Sequence, residues 1–461
     1  MALCPVCIFH STRGWFCDCD SIYVGQIRNP TRILCNVVWQ NLKEFSVRAT
    51  TAINVSVIGL GYIGLPTAAF FANAGQQVLG IDTDPRIVDS VNDGVTPFDE
   101  PGFAALLQHV VDEGLLRASA TLEAADAFVI AVPTPVRKDH RLDDRYIRSA
   151  VSSIARVMQG GELVVLESTS PPGTTSEMAK YLLSLRPDLT LESGKENSVY
   201  FAYCPERVIP GGIMREMASN DRVIGGLNSA SLERARNLYK TFVNGSILGT
   251  DAKTAEMAKL TENSYRDVNI AFANELSLIC AENGVDVWEL IELANHHPRV
   301  NILEPGPGVG GHCIAVDPWF IISSTKQARL IEMARRVNDA KPDFVVRRVE
   351  DSIASTSAKT VAILGLTFKA NVEDLRESPA LAIAETLTSD HPDVHFLIVE
   401  PHVEVLPGTL GSHSNADLVD LSAIEEECEI IVLLVDHDEF LEPVSDLNDK
   451  VILDFKGVWS S

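Results

Sequence analysis

The sequence predicts an α/β protein with two doubly wound parallel sheets, joined by a long central helix. Two observations predict this fold. Short β-branched segments, each followed by a loop and a helical segment, recur from residue 53 onwards and again after residue 360. Between these two regions, residues 252–283 contain no proline and have helical composition.

The first predicted strand leads into a glycine motif. Residues 53–58 form the strand, Gly59-x-Gly61-x-x-Gly64 follows at once, and residues 66–74 have helical composition. A strand, a glycine turn and a helix in this order predict a Rossmann-like dinucleotide site, with the pyrophosphate on the helix N-terminus. The alternative is a glycine turn in an unrelated α/β protein.

An acidic residue follows the second predicted strand, residues 77–81. Asp82 lies 18 residues after the last glycine of the motif, where a carboxylate binds the adenosine ribose hydroxyls. Its charge repels a 2′-phosphate, so the sequence favours NAD over NADP as the cofactor.

Two threonines follow later strands of the same predicted sheet. The segment 127–132 leads to Thr134, and the segment 163–166 leads to Thr169. Ligands of doubly wound sheets lie beyond the carboxyl ends of the strands, so both threonines are candidate cofactor contacts. Each is equally explained as a turn residue that satisfies backbone groups.

The central helix is predicted to end at Asn283-Gly284, and it carries a lysine. Lys259 and Asn263 are four residues apart and therefore share one helix face. The alternative for Lys259 is a solvated surface charge. Apolar residues on this helix predict a core or dimer surface: Leu260, Ala271, Phe272, Leu276 and Ile279. Polar residues among them, including Asn274, must be paired where they are buried.

A glycine-rich segment, residues 306–311, precedes Cys313, and Asp317 follows four residues later. Glycines let the backbone approach a ligand closely, and a thiol at the end of such a loop is suited to nucleophilic chemistry. The alternative is a tight turn with a small, half-buried cysteine.

The last third of the chain predicts a second Rossmann-like unit that binds something other than a dinucleotide. Residues 360–365 form a strand and turn without a full glycine fingerprint, and three more buried strands are predicted at 396–400, 429–435 and 450–455. Lys369 and Arg376 follow the first strand, where they would meet phosphate or ribose. An ordinary charged loop is the alternative.

Composition limits the class of partner. The 461 residues have 46% hydrophobic content and a formal net charge of −25. Nucleic acids and anionic membranes require basic patches, so neither is expected as a partner. No apolar run approaches the roughly 18 residues that span a membrane.

Five of the nine cysteines lie in the first 35 residues. The spacings of Cys4 to Cys7 and Cys17 to Cys19 raise the possibility of zinc, but the second spacing is poor for it. The other four cysteines are scattered, as expected in a reducing cytoplasm. We interpret residues 1–51 as an extension foreign to the fold, disordered or loosely packed, with native translation beginning near Val47.

Five segments together resemble the nucleotide-sugar 6-dehydrogenase family. They are residues 57–66, 204–211, 255–263 and 310–313, and Phe368-Lys369 with residues 376–379. The resemblance covers residues 53–461. It implies an NAD-binding domain at 52–245, a central helical and dimerisation domain at 246–345, and a UDP-sugar-binding domain at 346–461. It also implies a homodimer or a higher homo-oligomer and no metal.

The resemblance implies four-electron oxidation of a sugar C6 hydroxyl through a thiohemiacetal and a thioester on Cys313, with Lys259, Asn263 and Asp317 as the other catalytic residues. Lys259 would also favour the thiolate. The implied cofactor contacts are Gly59, Gly61, Tyr62, Ile63, Gly64, Asp82, Thr134, Thr169 and Arg376. The implied substrate contacts are Glu206, Arg207, Val208, Lys259, Asn263, Arg299, Gly308, Gly310 and Lys369, with Arg299 often supplied across a dimer.

The sequence departs from the glucose branch of the family at one position. That branch carries a catalytic glutamate where Leu166 stands, and Glu167 follows it. Neighbouring strand residues face opposite sides of a sheet, so Glu167 is only a weak substitute. The form of residues 204–207 and the pair His312-Cys313 fit the branch that acts on UDP-N-acetyl-D-mannosamine, for surface polysaccharide synthesis. UDP-N-acetylglucosamine, UDP-glucose and GDP-mannose remain alternative substrates, and a catalytically silent nucleotide-sugar-binding protein is the alternative of another class.

Overall fold

The computed structural model describes residues 7–9, 15–17, 52–98, 100–209, 211–311, 313–424, 428–442 and 449–459. The chain divides into two units, residues 1–51 and 52–461. In the first unit, β1 (Cys7–Phe9) pairs with β2 (Trp15–Cys17) in antiparallel register. The remaining expectations for residues 1–51, including those for zinc and for Val47, fall outside the described residues and stay predictions.

The second unit begins with an eight-stranded sheet. Its strands are β3 (Asn54–Ile58), β4 (Gln77–Ile81), β5 (Leu116–Ser119), β6 (Ala127–Ile130), β7 (Leu163–Leu166), β8 (Tyr200–Tyr203), β9 (Arg222–Gly226) and β10 (Ile247–Asp251). Their spatial order is β10-β9-β8-β7-β6-β3-β4-β5, and each neighbouring pair is parallel except β8 with β9. The order reverses beside β3, which places a ligand crevice beyond its carboxyl end.

Helices cover both faces of this sheet. They are α1 (Gly64–Asn73), α2 (Pro85–Asn92), α3 (Phe103–Asp112), α4 (Arg145–Val157), α5 (Thr174–Leu185), α6 (Ile213–Ser219) and α7 (Ser229–Tyr239). Phe128 and Val129 on β6 are both fully buried but belong to different apolar clusters, one on each face. A parallel strand that is buried on both faces carries apolar residues at successive positions. Its sequence therefore shows no alternation of apolar and polar residues.

The predicted central helix is confirmed as α8 (Ala252–Asn283). Its start is fixed by Asp251, whose side chain accepts a hydrogen bond from the backbone N–H of Thr254 at 3.0 Å. Gly284 ends it in the left-handed conformation at φ +66°. Three helices follow: α9 (Val287–Asn295), α10 (Asp317–Ser324) and α11 (Arg329–Thr356). Both α10 and α11 pack against α8.

The chain ends in a second, five-stranded parallel sheet. Its strands are β11 (Thr360–Leu364), β12 (His395–Val399), β13 (Ala416–Leu418), β14 (Ile430–Leu433) and β15 (Val451–Asp454), and α12 (Pro379–Asp390) follows β11. The order is β13-β12-β11-β14-β15. The predicted architecture of two doubly wound sheets and a long central helix is confirmed.

Candidate functional site

The glycine turn after β3 uses its three glycines for two purposes. A Cβ on Gly59 would lie 2.6 Å from the carbonyl oxygen of Ala131, and one on Gly64 would lie 1.8 Å from the carbonyl oxygen of Gly59. These two glycines therefore permit the turn and its packing. Gly61 is exposed and has no atom within 4 Å of where its Cβ would stand. The backbone at Gly61 is thus open to a pyrophosphate.

Asp82 lies beside this turn at the end of β4. Its carboxylate accepts hydrogen bonds from the backbone N–H of Leu60 at 2.9 Å and of Asp84 at 3.0 Å. The side chain is half-buried. The structure therefore places a fixed negative charge at the edge where the adenosine ribose of a dinucleotide would lie.

Tyr62 and Ile63 complete the turn. The hydroxyl of Tyr62 donates to the carboxylate of Glu100 at 2.6 Å, and its ring packs on Phe98. Glu100 also accepts from the backbone N–H of Gly211 at 2.9 Å. The side chain of Tyr62 therefore anchors neighbouring loops. Ile63 immediately precedes α1 and is half-buried.

Thr134 and Thr169 lie on neighbouring loops at the same sheet edge, and both are half-buried. The two loops are joined by the hydroxyl of Ser168, which donates to the carbonyl oxygen of Val132 at 2.6 Å. The loop of Thr134 begins beside Gly59, since a Cβ on Gly59 would meet the backbone of Ala131 and Val132. The cofactor contacts of the two threonines stay predictions.

A second group of predicted residues meets between α8 and α10. The Nδ2 of Asn263 donates a 2.5 Å hydrogen bond to the Oδ2 of Asp317, the first residue of α10. Burial raises the pKa of Asp317 to about 6, although the positive charge of Lys259 and the bond from Asn263 act in the opposite direction. Asp317 therefore changes charge close to neutral pH, as a proton acceptor requires.

Cys313 lies beside this group and is exposed. The surrounding protein removes part of the hydration of its thiol, and the charge of Asp317 adds to this effect. Together they raise the pKa of Cys313, although Lys259 and Arg376 lower it. The expectation that Lys259 favours the thiolate has the correct sign, but burial and Asp317 outweigh it, so the net shift is opposite to the prediction.

The glycines before Cys313 pack against the loop that follows β11. A Cβ on Gly310 would lie 2.5 Å from the carbonyl oxygen of Glu377, and one on Gly308 would lie 2.9 Å from Pro379. The backbone N–H of Gly311 donates to the carbonyl oxygen of Arg376 at 3.2 Å. These glycines are thus needed for contact between two protein loops. Because glycine has no side chain, Gly308 and Gly310 would contact a substrate through their backbone atoms.

The two predicted cations of the second sheet unit are exposed. Lys369 and Arg376 both lie on the loop after β11. Arg376 binds the carboxylate of Asp374 through Nε at 2.9 Å and Nη2 at 2.6 Å. Its charge also acts on the thiol of Cys313. The structure therefore places Arg376 next to the thiol, and its predicted role as a cofactor contact stays a prediction.

The carboxylate of Glu206 is buried and forms a 2.7 Å ion pair with Arg222 on β9. A buried guanidinium requires a carboxylate partner, which explains why the side chain of Glu206 faces the interior. Its predicted contact with the substrate stays a prediction. Arg207 turns the other way and pairs with Glu262 on α8 at 2.9 Å. Val208 is half-buried against the first apolar cluster.

Glu167 belongs to the same buried group. It accepts from the hydroxyl of Thr67 at 2.9 Å and lies 3.7 Å from Arg222. Burial and the neighbouring carboxylate of Glu206 raise its pKa to about 8. Glu167 therefore contacts α1 and β9 and none of Lys259, Asn263, Cys313 or Asp317 among the described contacts.

Arg299 is exposed, and its described hydrogen bond is from its backbone N–H to the Nδ1 of His297 at 3.4 Å. The described contacts do not join it to the catalytic group. A contribution to a neighbouring subunit's site stays a prediction.

Two buried polar residues hold the chain on either side of Cys313, Asn274 through Gly306 and Arg335 through the carbonyl oxygen of Ile314 at 3.5 Å. Asn274 on α8 accepts from the backbone N–H of Gly306 at 2.9 Å and donates to Asn338 on α11 at 2.9 Å. This confirms that Asn274 is buried and paired. Arg335, which no sequence pattern singled out, is fully buried against Asp267. A charged residue on a long amphipathic helix gives no sequence signal of burial.

Three sequence profiles of one family match this chain in order along its length. The NAD binding domain of the UDP-glucose/GDP-mannose dehydrogenase family matches residues 53–243, the central domain 253–340 and the UDP binding domain 362–461. None of the helices in the described ranges has the length and apolar character needed to cross a membrane.

Several named proteins are similar over most of the chain. UDP-N-acetyl-D-mannosamine dehydrogenase of Salmonella typhi is 52% identical over 88% of this chain and 99% of its own length. NDP-N-acetyl-D-galactosaminuronic acid dehydrogenase of Ralstonia nicotianae is 50% identical over 88% of this chain and 96% of its own. The structure of UDP-D-ManNAc dehydrogenase from Pyrococcus horikoshii has a TM-score of 0.79 at 38% identity, covering 88% of this chain and 96% of that one.

Proposed function

Because the chain belongs to the UDP-glucose/GDP-mannose dehydrogenase family, an NAD-dependent group of nucleotide-sugar oxidoreductases, we propose that it oxidises C6 of UDP-N-acetyl-D-mannosamine to a carboxylate. Relatives with that named activity are 50–52% identical over 88% of the chain. The observation that carries the proposal is the meeting of an exposed thiol, Cys313, with Asp317, Asn263 and Lys259.

The residues after β3 fit the cofactor. Gly61 leaves open space at the turn, and Asp82 supplies a carboxylate for ribose hydroxyls. When bound there, NAD supplies the acceptor for the hydride that leaves C6, once in each of two oxidations. The negative charge of Asp82 disfavours the 2′-phosphate of NADP.

In the first oxidation, the chain has to remove the proton of the C6 hydroxyl. A water held by Asp317 and Lys259 takes this proton in the proposed mechanism. Asp317 has a pKa of about 6 and is therefore ionised at neutral pH, so it is able to accept a proton. Lys259 and Asn263 stabilise the negative charge that develops on the oxygen.

In the second oxidation, Cys313 attacks the C6 aldehyde. The sulfur–carbon bond forms a thiohemiacetal, and the thiol proton passes to Asp317 or its water, because the raised pKa keeps the resting thiol protonated. Loss of a second hydride from C6 leaves a thioester. Water then cleaves the sulfur–carbon bond to release the carboxylate and return the thiol. The covalent bond keeps the aldehyde in place between the two oxidations.

Substrate identity is tested by NADH formation on a panel of nucleotide sugars. We expect turnover of UDP-N-acetyl-D-mannosamine with two NADH per sugar. Activity on UDP-N-acetylglucosamine, UDP-glucose or GDP-mannose without activity on the mannosamine compound would overturn the proposed substrate. A relative named for an N-acetyl-D-galactosaminuronic acid at 50% identity makes the corresponding NDP-sugar a necessary member of the panel.

The covalent step is tested with Cys313→Ser. We expect this variant to form no carboxylate and to retain at most a slow first oxidation, detected as NADH without uronate. Cys204, a buried cysteine that follows β8 in the first sheet, gives the control Cys204→Ser. A Cys313→Ser variant with full activity would instead favour a silent nucleotide-sugar-binding protein.

We also propose that two copies associate through α8. Tyr265, Phe272 and Ile279 recur every seven residues on this helix and are 68%, 52% and 49% exposed. A repeated apolar stripe that is left uncovered is typical of an oligomer interface. Light scattering should give a dimer or a larger assembly, and Phe272→Glu should shift it to the monomer.

The proposed product, a sugar uronate on a nucleotide carrier, is a precursor for surface polysaccharide. The four free cysteines in the described part of the chain agree with a cytoplasmic location.

A further inference from the structure

The two sheets share one local arrangement at the edge where ligands bind. The backbone N–H of Gly59 donates to the carbonyl oxygen of Ile81 at 2.8 Å, and that of Gly365 donates to Val399 at 2.9 Å. Both glycines have positive φ, +94° and +90°. The turn after β11 therefore repeats the turn after β3.

The acidic residue is repeated as well. Asp82, after β4, accepts from the backbone N–H of Leu60 at 2.9 Å. Glu400, after β12, accepts from the backbone N–H of Leu366 at 2.6 Å. Glu400 thus stands in the second sheet where the carboxylate for the ribose stands in the first.

The third strand of each arrangement shows the difference between them. Ile130 ends β6 beside β3, and Leu433 ends β14 beside β11. Four residues after each strand end stand Thr134 in the first sheet and His437 in the second. Thr134 is half-buried, whereas His437 is fully buried. The second sheet therefore carries an imidazole at the position of a predicted cofactor contact.

Both ring nitrogens of His437 have partners from the facing loops. Its Nδ1 accepts from the backbone N–H of Asn371 at 3.0 Å. Because that nitrogen accepts, the proton is assigned to Nε2, which lies 3.2 Å from Glu400 Oε2 and 3.2 Å from the hydroxyl of Thr367. The ring therefore joins the ends of β11, β12 and β14.

We propose that His437 closes the ligand crevice of the second sheet and acts as a positioning residue for residues 366–371, the part of the loop after β11 that presents Lys369 to the uridine diphosphate. The proposal rests on the proposed function, since that function supplies the ligand. In this arrangement, the imidazole occupies the space that a ribose takes in a dinucleotide site. The nucleotide of the substrate consequently binds at the loop and not inside the crevice.

Further hydrogen bonds extend from His437 along this loop. Asn371, in the left-handed conformation at φ +60°, exchanges two hydrogen bonds with Asp438, of 2.9 and 3.0 Å. The hydroxyl of Thr367 donates to the carbonyl oxygen of Lys369 at 2.9 Å. At the far end, Arg376 meets Gly311 beside Cys313. Movement of His437 would therefore be transmitted to Lys369.

The ionisation state of Glu400 agrees with this role. Burial opposes its charge, but hydrogen bonds from His437 and from the backbone N–H groups of Leu366 and His402 outweigh burial and hold the pKa of Glu400 below its usual value. A charged acceptor makes each of these bonds stronger than a neutral one.

A metal ion is the other occupant that this cluster suggests. The ligand atoms of His402, His437 and Glu439 lie within 4.8 Å of one another. An ion bound to His437 would have to displace either the N–H of Asn371 or the carboxylate of Glu400. The donor set therefore favours a closed hydrogen-bond network over a metal site.

The test compares the full chain with His437→Phe, which keeps a ring and removes both nitrogens. Hydrogen–deuterium exchange read by mass spectrometry should accelerate about tenfold in peptides covering residues 366–371, since buried hydrogen bonds to a charged group are lost. KM for the UDP-sugar should rise about tenfold and KM for NAD should stay within about twofold, because the first sheet is unchanged. His437→Asn keeps an acceptor for the N–H of Asn371, so its exchange rate and its KM for the UDP-sugar should lie between those of the wild type and of His437→Phe.

Asn415→Ala is the matched control. Asn415 is a half-buried residue of the same unit whose amide donates to the carbonyl oxygens of Thr388, His391 and Val394, away from the loop. It should lower the unfolding temperature without changing exchange at 366–371 or KM. If His437→Phe does not fold, Asn371→Gly removes the bonds to Asp438 while tolerating positive φ, and it should raise KM in the same way.

Unchanged exchange in residues 366–371 would overturn the positioning role. Faster exchange with an unchanged KM for the UDP-sugar would overturn the link to the ligand. Loss of wild-type activity in a chelator, restored by zinc, would replace the network with a metal site. Wild type without turnover of any nucleotide sugar would defeat the proposed function, and the exchange data would still decide the closure of the crevice.

Discussion

The Nδ2 of Asn263 and the Oδ2 of Asp317 are 2.5 Å apart, and this hydrogen bond ties the central helix α8 to the first residue of α10. Asp317 is almost fully buried, so its carboxylate is held in a place where its charge is costly. The bond fixes that carboxylate next to Lys259 and next to Cys313, whose pKa it raises.

Asp317→Asn should abolish most activity and stabilise the fold at alkaline pH. The carboxyl has a pKa of about 6 in the folded protein against 3.8 ordinarily. Between these two pH values only the folded state keeps the proton on Asp317, so the free energy of unfolding falls as pH rises. Above pH 6 the buried, ionised carboxylate lowers the free energy of unfolding by about 3 kcal/mol. Asparagine does not titrate, so urea unfolding should show a larger advantage of the variant at about pH 8 than at about pH 4.

The same variant should lower kcat by about 100-fold or more, the scale expected for loss of a proton acceptor. Wild-type kcat/KM should rise with pH through about 6, as Asp317 ionises. Asp267, whose pKa is also about 6, is present in both proteins and cancels in the comparison. A stability difference independent of pH would contradict the assignment.

Alkylation of Cys313 should respond to its two charged neighbours in opposite directions. Asp317→Asn removes a charge that raises the thiol pKa and should accelerate reaction with iodoacetamide at neutral pH several-fold. Lys259→Met removes a charge that lowers it and should slow the reaction. Peptide mass spectrometry reports this cysteine separately from the others. Lys253→Met, an exposed lysine on the same helix, is the control and should change nothing.

Two substitutions of Asp82 should separate its charge from its hydrogen bonds. Asp82→Asn keeps an acceptor for the N–H of Leu60 and should mainly relax discrimination against NADP. Asp82→Ala removes the acceptor as well and should raise KM for NAD by about tenfold. Steady-state kinetics with both cofactors measures this, and Asp89→Ala, an exposed aspartate, is the control. Identical behaviour of the two Asp82 variants would argue against a role for its charge.

Gly310→Ala should reduce activity strongly, whereas Gly306→Ala should be tolerated. A Cβ at 310 would meet the carbonyl oxygen of Glu377 at 2.5 Å, but the nearest atom to a Cβ at 306 is 3.9 Å away. Neither glycine has a positive φ between +20° and +160°, so the difference is one of space. The activity and the unfolding temperature of the two variants are compared. If Gly310→Ala is tolerated as well as Gly306→Ala, the contact between the two loops is not required for activity.

Local features of the fold were predictable because local sequence carries them. The strand Gln77–Ile81 and the helix Ala252–Asn283 have the bounds that were predicted, since an apolar run marks the strand, and the absence of proline and a C-terminal Gly284 mark the helix. The extents of β6 and β14 were overestimated, because apolar residues continue past the strand ends into the loops.

Contacts between residues that are far apart in the sequence were harder to predict. Nothing in the sequence indicated that Arg222, which lies 16 residues later on another strand, holds the carboxylate of Glu206. The net rise in the pKa of Cys313 also depends on how much protein surrounds it. Neither burial nor the identity of a distant partner is encoded by spacing along the sequence.

The sequence by itself determined the two doubly wound sheets, the long helix and the preference for NAD, each of which depends on residue type and local spacing. The group of Lys259, Asn263, Cys313 and Asp317 was predicted from the family resemblance of the motifs that contain them. Only the tertiary structure decided that Gly310 serves contact between loops, that Glu206 faces the core and that His437 fills the second crevice. These depend on which atoms meet in three dimensions, because packing and burial assign a side chain its partner and its charge.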